Sequence, residues 1–326
     1  MPRFSLPLAL ICAASVSAVA IACNVPVFRY ALERWPADPY EVFVLHEGVL
    51  DAEAQQQLKR LRMASSRNSG TLNCIVRDVE VADTDDEALK QLWKEKRSEN
   101  GEPMLVVLYP RSAREVPDRL VVAKPLVPQS VERLIDSPVR QEVAANLLTG
   151  DSAVWIFVPS GDKSQDEVAL RTLTEQVKHN QETVELPPQE EIEADEFFRS
   201  ENPIELRVGF SIVTLKRDDP RERALLEMLL ASEPDLEQLN QPMAFPVIGR
   251  GRVLYALVGK GIFEDTIAMA SRFVVGPCSC QVKDQNPGFD LLMNVDWDEK
   301  IGGSVVSEEA SRERSKPILI PIPSGK

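Results

Sequence analysis

Histidine is nearly absent from this chain: His46 and His179 are the only two in 326 residues. A histidine-rich zinc site or a histidine-based triad therefore has little to draw on. Aromatic residues make up 6% of the sequence, so the cores must lean on Val, Leu, Ile and Ala. Positive charge is also short, with 37 Lys and Arg against 51 Asp and Glu and a formal net charge of −14. A balance of that sign repels nucleic-acid backbones, excludes nucleic acid as a partner and does not favour adsorption to anionic lipid. There is no H-E-x-x-H, no G-x-S-x-G and no Walker loop. Gly249-Arg250-Gly251 and Gly259-Lys260-Gly261 each lack a glycine that a nucleotide fingerprint needs. Carboxylates abound without any pair standing out, and nothing calls for a cofactor.

Cysteine is scarce as well. Cys12, Cys23, Cys74, Cys278 and Cys280 are too few and too scattered for a disulfide framework. The first two belong to the N-terminus, where Arg3 precedes an uncharged apolar run from Phe4 to Ala22. That run reads as a signal sequence over residues 1–22. Ala20 and Ala22 suit ordinary signal peptidase, while Cys23 directly after Ala22 resembles a bacterial lipobox, with Ala20 where Leu is usual. A retained signal anchor is the third option. The expectation is an exported protein of the periplasm or outer membrane, with lipidation at Cys23 placed ahead of soluble secretion.

What is present is alternation of strand and helix patterns. Residues 23–40 form an entry segment with Phe28, Tyr30 and Trp35 among arginines, suited to lie near lipid headgroups or, as favoured here, to pack on the first domain. Glu41–His46 reads as a strand, followed by a helix with Leu50, Ala54, Leu58 and Leu61 on one face. Strands at Thr71–Val81, Met104–Tyr109, Leu120–Ala123 and Ala153–Val158 alternate with helices. Capping boxes at Thr84–Glu87 and Ser164–Glu167 and the pair Ser137-Pro138 open three of these helices. Residues 182–204 turn acidic and proline-bearing and read as a linker. A second unit over 205–300 begins with the strand Glu205–Leu215. It ends in the hairpin of 242–258 and a helix carrying Ile267, Ala270, Ser271 and Val274 on one face. Residues 301–326 read as a tail.

The order strand–helix, then paired strands and a helix, resembles the thioredoxin-type fold. The expected class is α/β: two thioredoxin-like units in tandem, each a central mixed sheet flanked by helices. The first, 41–181, is enlarged by an added helix–strand–helix. A working member of that fold keeps Cys-x-x-Cys after its first strand, at a helix N-terminus that stabilises thiolate. The corresponding stretches, Leu45–Val49 and Leu215–Asp219, hold no cysteine.

Two candidate sites remain. Cys278-Ser279-Cys280 follows the helix stop Gly276-Pro277 and admits three readings: a structural turn, a strained and reducible disulfide, or part of a soft-metal site for Cu(I). His46 and Glu47 end a strand on the side where open α/β sheets take ligands, a candidate polar site. Finally, NVPVFRYALERW, SAVW and PCSC-x-x-K-x-x-NPG together resemble a family of exported bacterial proteins. That resemblance implies export and carries no activity. The first reading is a non-catalytic envelope protein that binds another protein, anchored by its N-terminal lipid or signal segment. The second is a thiol-disulfide redox or copper-handling protein using Cys278 and Cys280.

Overall fold

The computed structural model describes residues 25–68, 70–188, 204–277, 283, 286 and 288–302. The signal segment, Cys23, the Cys278-Ser279-Cys280 motif and residues 303–326 of the tail lie outside the described residues. No helix among the described residues is long and apolar enough to cross a membrane.

Helix α1 (Val27–Arg34) comes first, and then the first unit: β1 (Tyr40–His46), α2 (Ala52–Ala64), β2 (Cys74–Glu80), α3 (Glu87–Lys96), β3 (Met104–Leu108), β4 (Leu120–Pro125) and α4 (Pro128–Ile135). The sheet order is β2-β1-β3-β4. β1 and β2 run parallel with Tyr40 opposite Cys74 and His46 opposite Glu80, while β3 and β4 are antiparallel. β1 is apolar on both faces because both are covered. Tyr40, Val42 and Val44 enter one core, and Phe43 and Leu45 enter another with Trp93 of α3.

α5 (Pro138–Leu148) leads to the second unit: β5 (Ala153–Val158), α6 (Lys163–Thr183), β6 (Phe210–Thr214), α7 (Arg223–Leu230), β7 (Met243–Ile248), β8 (Arg252–Val253), β9 (Leu257–Val258) and α8 (Glu264–Val275). An edge strand, β10 (Phe289–Asp290), and a last short helix, α9 (Trp297–Ile301), follow. The order is β10-β8-β7-β5-β6, with β9 also pairing to β7. β5 runs parallel to β6 and antiparallel to β7, the same arrangement that β1 has with β2 and β3. The molecule is thus mixed α/β, with two mixed sheets flanked by helices that correspond to two thioredoxin-like units in tandem. An echo in sequence accompanies this: Pro103-Met104 and Pro242-Met243 open the third strand of each unit. Each proline carbonyl accepts a backbone N–H at 2.8 Å, from Leu126 and from Gly259.

The strand at 153–158 therefore opens the second sheet and does not enlarge the first unit. AVWIFV is apolar on both faces and needs a central place with a neighbour on each side. The acidic stretch 182–204, expected as a linker between units, begins at the end of α6 and precedes β6 in the chain, both of the second unit; its residues 189–203 lie outside the described residues. Composition of that kind does not distinguish a linker between units from a connection within one.

The two units share one core. It packs α2, α4 and the inner faces of β1 and β3 against α5, α7, β5 and β7. α3 covers the outer face of the first sheet, and α6 and α8 the outer face of the second. α1 completes that last layer, so Phe28, Tyr30 and Trp35 are buried against the second unit and not against the first. Gly249, at a φ of 58°, lets the β7–β8 turn come so close to α1 that a Cβ there would stand 2.7 Å from Ala31 Cβ. After β10 the chain returns to the first unit: Asn73 Oδ1 accepts from Met293 N at 2.6 Å, and Arg140 donates to Leu292 O at 2.7 Å.

Candidate functional site

The parallel strands β1 and β2 end beside the start of α2, and an open groove of about 830 Å³ lies there. His46, Val49, Leu58, Arg62, Met63 and Asp78 are among its lining. Asp51 caps α2 by accepting from Ala54 N at 2.8 Å. Gly48, at a φ of 74°, makes the turn that carries Val49 outward. Val49 is 95% exposed and Met63 66% exposed, an apolar rim on a polar floor. His46 Nε2 stands 2.9 Å from Asp78 Oδ1, and Nδ1 stands 2.7 Å from Gly48 O. Both partners are oxygen acceptors, and they fix the plane of the ring at the end of β1. Arg62 completes the floor by donating to Asp78 Oδ2 at 3.3 Å.

His46 was expected to act with Glu47. Instead Glu47 accepts from Trp93 Nε1 at 3.1 Å and meets Arg97 at 3.5 Å, on the side of α3. The histidine's carboxylate neighbours are Asp78 and Glu80 of β2, which the parallel register brings beside it.

With β5 as the first strand of the second unit, the place of a dithiol there is Pro159–Asp162 and not Leu215–Asp219. Carboxylates fill it. Asp162 caps α6 through Ser164 N and Gln165 N, at 2.9 and 3.3 Å. Bonds from the Ser164 hydroxyl and the Gln165 side chain hold its carboxyl down at about 2. Asp166 accepts from Ser160 N and Gly161 N, at 2.7 and 2.9 Å. Asp162 thus takes two of the free amides at the start of α6 and Asp166 takes two of the loop before it, which leaves few donors there for a thiolate. The one cysteine among the described residues, Cys74, is buried in β2, and burial pushes its thiol up to about 12. It is packing, not a nucleophile.

Cys278 and Cys280 lie outside the described residues, and Pro277 and Lys283 on either side of them lie within. Pro277 bridges to Pro26, and the Lys283 ammonium reaches Pro36 O at 2.6 Å, Asp38 Oδ2 at 3.0 Å and the Asp290 carboxylate. Asp290 also accepts from Asp38 N at 2.7 Å and from Arg252 at 3.2 Å. Burial pushes the Asp290 carboxyl above its usual range, against the pull of Lys283. This buried cluster had no signal in the sequence beyond a lone aspartate in FDLLM and the lysine three residues after Cys280. Among the described residues no group of three or more His, Cys, Asp or Glu is placed to hold a metal ion. No protein-family model and no curated protein matches the chain.

Proposed function

We propose that the protein is a non-catalytic, thioredoxin-like binding protein of the bacterial envelope that presents the His46 groove to another protein. The observation that carries this reading is what stands where each unit would keep its dithiol. In the first unit it is a groove with an exposed apolar rim, and in the second a helix end closed by Asp162 and Asp166. Binding uses such a groove, and thiol exchange does not. The export signal supports an envelope location, and Cys23 supports a lipid anchor there. A photo-crosslinking side chain at position 49, on the groove, is compared with one at exposed position 260 in living cells. The reading requires a discrete adduct from 49 that is absent from 260; no adduct, or the same adduct from both, removes it. The intact mass of the mature chain separates acylated Cys23 from a plain new N-terminus.

The thiol or copper reading keeps one specific support: the anchoring of Pro277 and Lys283 pins the chain on both sides of Cys278 and Cys280. Counting free thiols with and without reductant, together with Cu(I) competition, tests it. Thiols that stay reduced and take up no metal end that alternative.

A further inference from the structure

We propose that Arg77, Arg111 and Arg119, gathered around Glu41, form a binding site for a dianionic phosphate group. The three arginines come from separate places in the fold: β2, the turn after β3, and the residue before β4. Their guanidinium groups reach the same carboxylate at 3.3, 3.2 and 2.6 Å. Glu41 is a strand residue with its side chain only 7% exposed. Burial pushes its carboxyl up, but the bonds from Arg119 and Arg111 outweigh that and hold it below its usual range. It therefore stays ionised and acts as the hub that keeps three like charges together.

Neutralising Glu41 needs one arginine, and Arg119 suffices: it is the least exposed of the three and is fixed by two further bonds to Tyr109 O. Arg77 and Arg111 are 46% and 77% exposed and reach in from solvent. Among the described residues no other carboxylate pairs with any of the three. The acidic residues of the same loop are turned to backbone instead, Asp118 to Leu120 N at 3.0 Å and Glu115 to Gly288 N at 3.2 Å. One negative and three positive charges leave a local excess of two on a chain of net charge −14. Arg77 is steadied further by Phe43, whose ring centroid lies 5.6 Å from its guanidinium carbon.

The geometry fits phosphate because planar guanidinium forks donate in pairs to phosphate oxygens. A phosphomonoester carries about −1.5 to −2 at neutral pH and matches the excess, whereas a phosphodiester matches half of it. The site is independent of the His46 groove. Glu41 and Arg77 stand on the strand face that α3 covers, and Asp78 and Glu80 stand on the opposite face.

The test is titration calorimetry of the full chain with inorganic phosphate at constant ionic strength and slightly alkaline pH. In parallel, sedimentation compares vesicles of phosphatidylcholine with vesicles that also contain phosphatidic acid. Saturable phosphate binding assigns a soluble ligand; excess binding to the phosphatidic acid vesicles assigns a lipid headgroup. In either case the Arg77→Ala/Arg111→Ala variant loses affinity by about tenfold or more. Arg171→Ala, at an exposed position of α6, leaves it unchanged. Arg111→Ala alone, at the most exposed position, serves if the double variant folds poorly and weakens binding in the same direction. Absence of binding in both arms, or binding that survives the loss of Arg77 and Arg111, overturns the proposal.

Discussion

Three buried groups, Cys74, Tyr40 and Tyr109, keep their protons in the native state. Tyr40 donates to Asp290 O at 2.7 Å and Tyr109 donates to Met228 O. Burial raises both tyrosine hydroxyls, and it raises the Cys74 thiol to about 12. In the unfolded chain the thiol ionises near 9.0 and the hydroxyls near 10.0. Above those values the native state holds more protons than the unfolded state, so stability falls as pH rises. The slope approaches about 1.4 kcal/mol per pH unit for each group. Urea midpoints measured against pH should therefore hold level below pH 9 with respect to these groups and drop steeply above pH 10. Tyr109→Phe should make the drop shallower, and a level profile across that range would contradict this account. A second expectation concerns Asp290. Asp290→Ala leaves Arg252 and Lys283 buried without their shared counter-charge and should cost about 3–5 kcal/mol by chemical denaturation. At this scale the place of His46 at the end of β1 was legible from the strand pattern. Its pairing with Glu47 was not, because successive strand residues point to opposite faces. The Asp290 cluster left no local trace, as Asp38 lies 252 residues away.

Helix α1 shows how an element can exist through its packing. It is eight residues long, it has no side-chain cap at Pro26, and a helix that short is not stable alone. Burial of Val27, Phe28 and Ala31 against the second unit holds it, with Val27 N donating to Gly276 O at 3.0 Å and Arg250 donating to Leu32 O at 2.8 Å. Phe28→Ala should cost about 3–5 kcal/mol in urea denaturation, the usual loss for a large aromatic removed from a core. A loss below about 1 kcal/mol would mean that the aromatics of α1 serve something other than this core. Most other elements could be read from periodicity, including the α8 face of Ile267, Ala270, Ser271 and Val274, all four buried. α4 has no counterpart in the sequence reading, because Pro128 and Pro138 bracket its few turns closely. Yet Pro128 sits at its first position, where proline is favoured, and Val131 and Leu134 face the core. The start of α6 was displaced for a related reason. Asp162 and Ser164 can each cap a helix, and Asp162 takes the cap.

At the scale of the whole molecule, the fold class could be read from element order, while the division between units could not. A change in composition reports a preference for water, and that preference does not tell a linker between units from a connection inside one. What joins the units is the shared core, which strand and helix patterns cannot locate because any apolar face is a candidate for it. α7 lies at its centre: Leu229 is fully buried, Met228 O accepts from Tyr109, and Glu227 pairs with Lys124 of β4. Residues 288–302 bind the second sheet back to Asn73 and Arg140. Unfolding either unit alone would expose the face the other covers, so the two should open together. Native-state hydrogen exchange checks this, since amides of β1 and β5 should report the same free energy of opening. Leu229→Ala should lower both by the same amount, about 2–5 kcal/mol, although Leu229 belongs to the second unit only. Separate opening energies, or a loss confined to β5, would mean that each unit stands on its own core and that the contact between them is only a docking of finished domains.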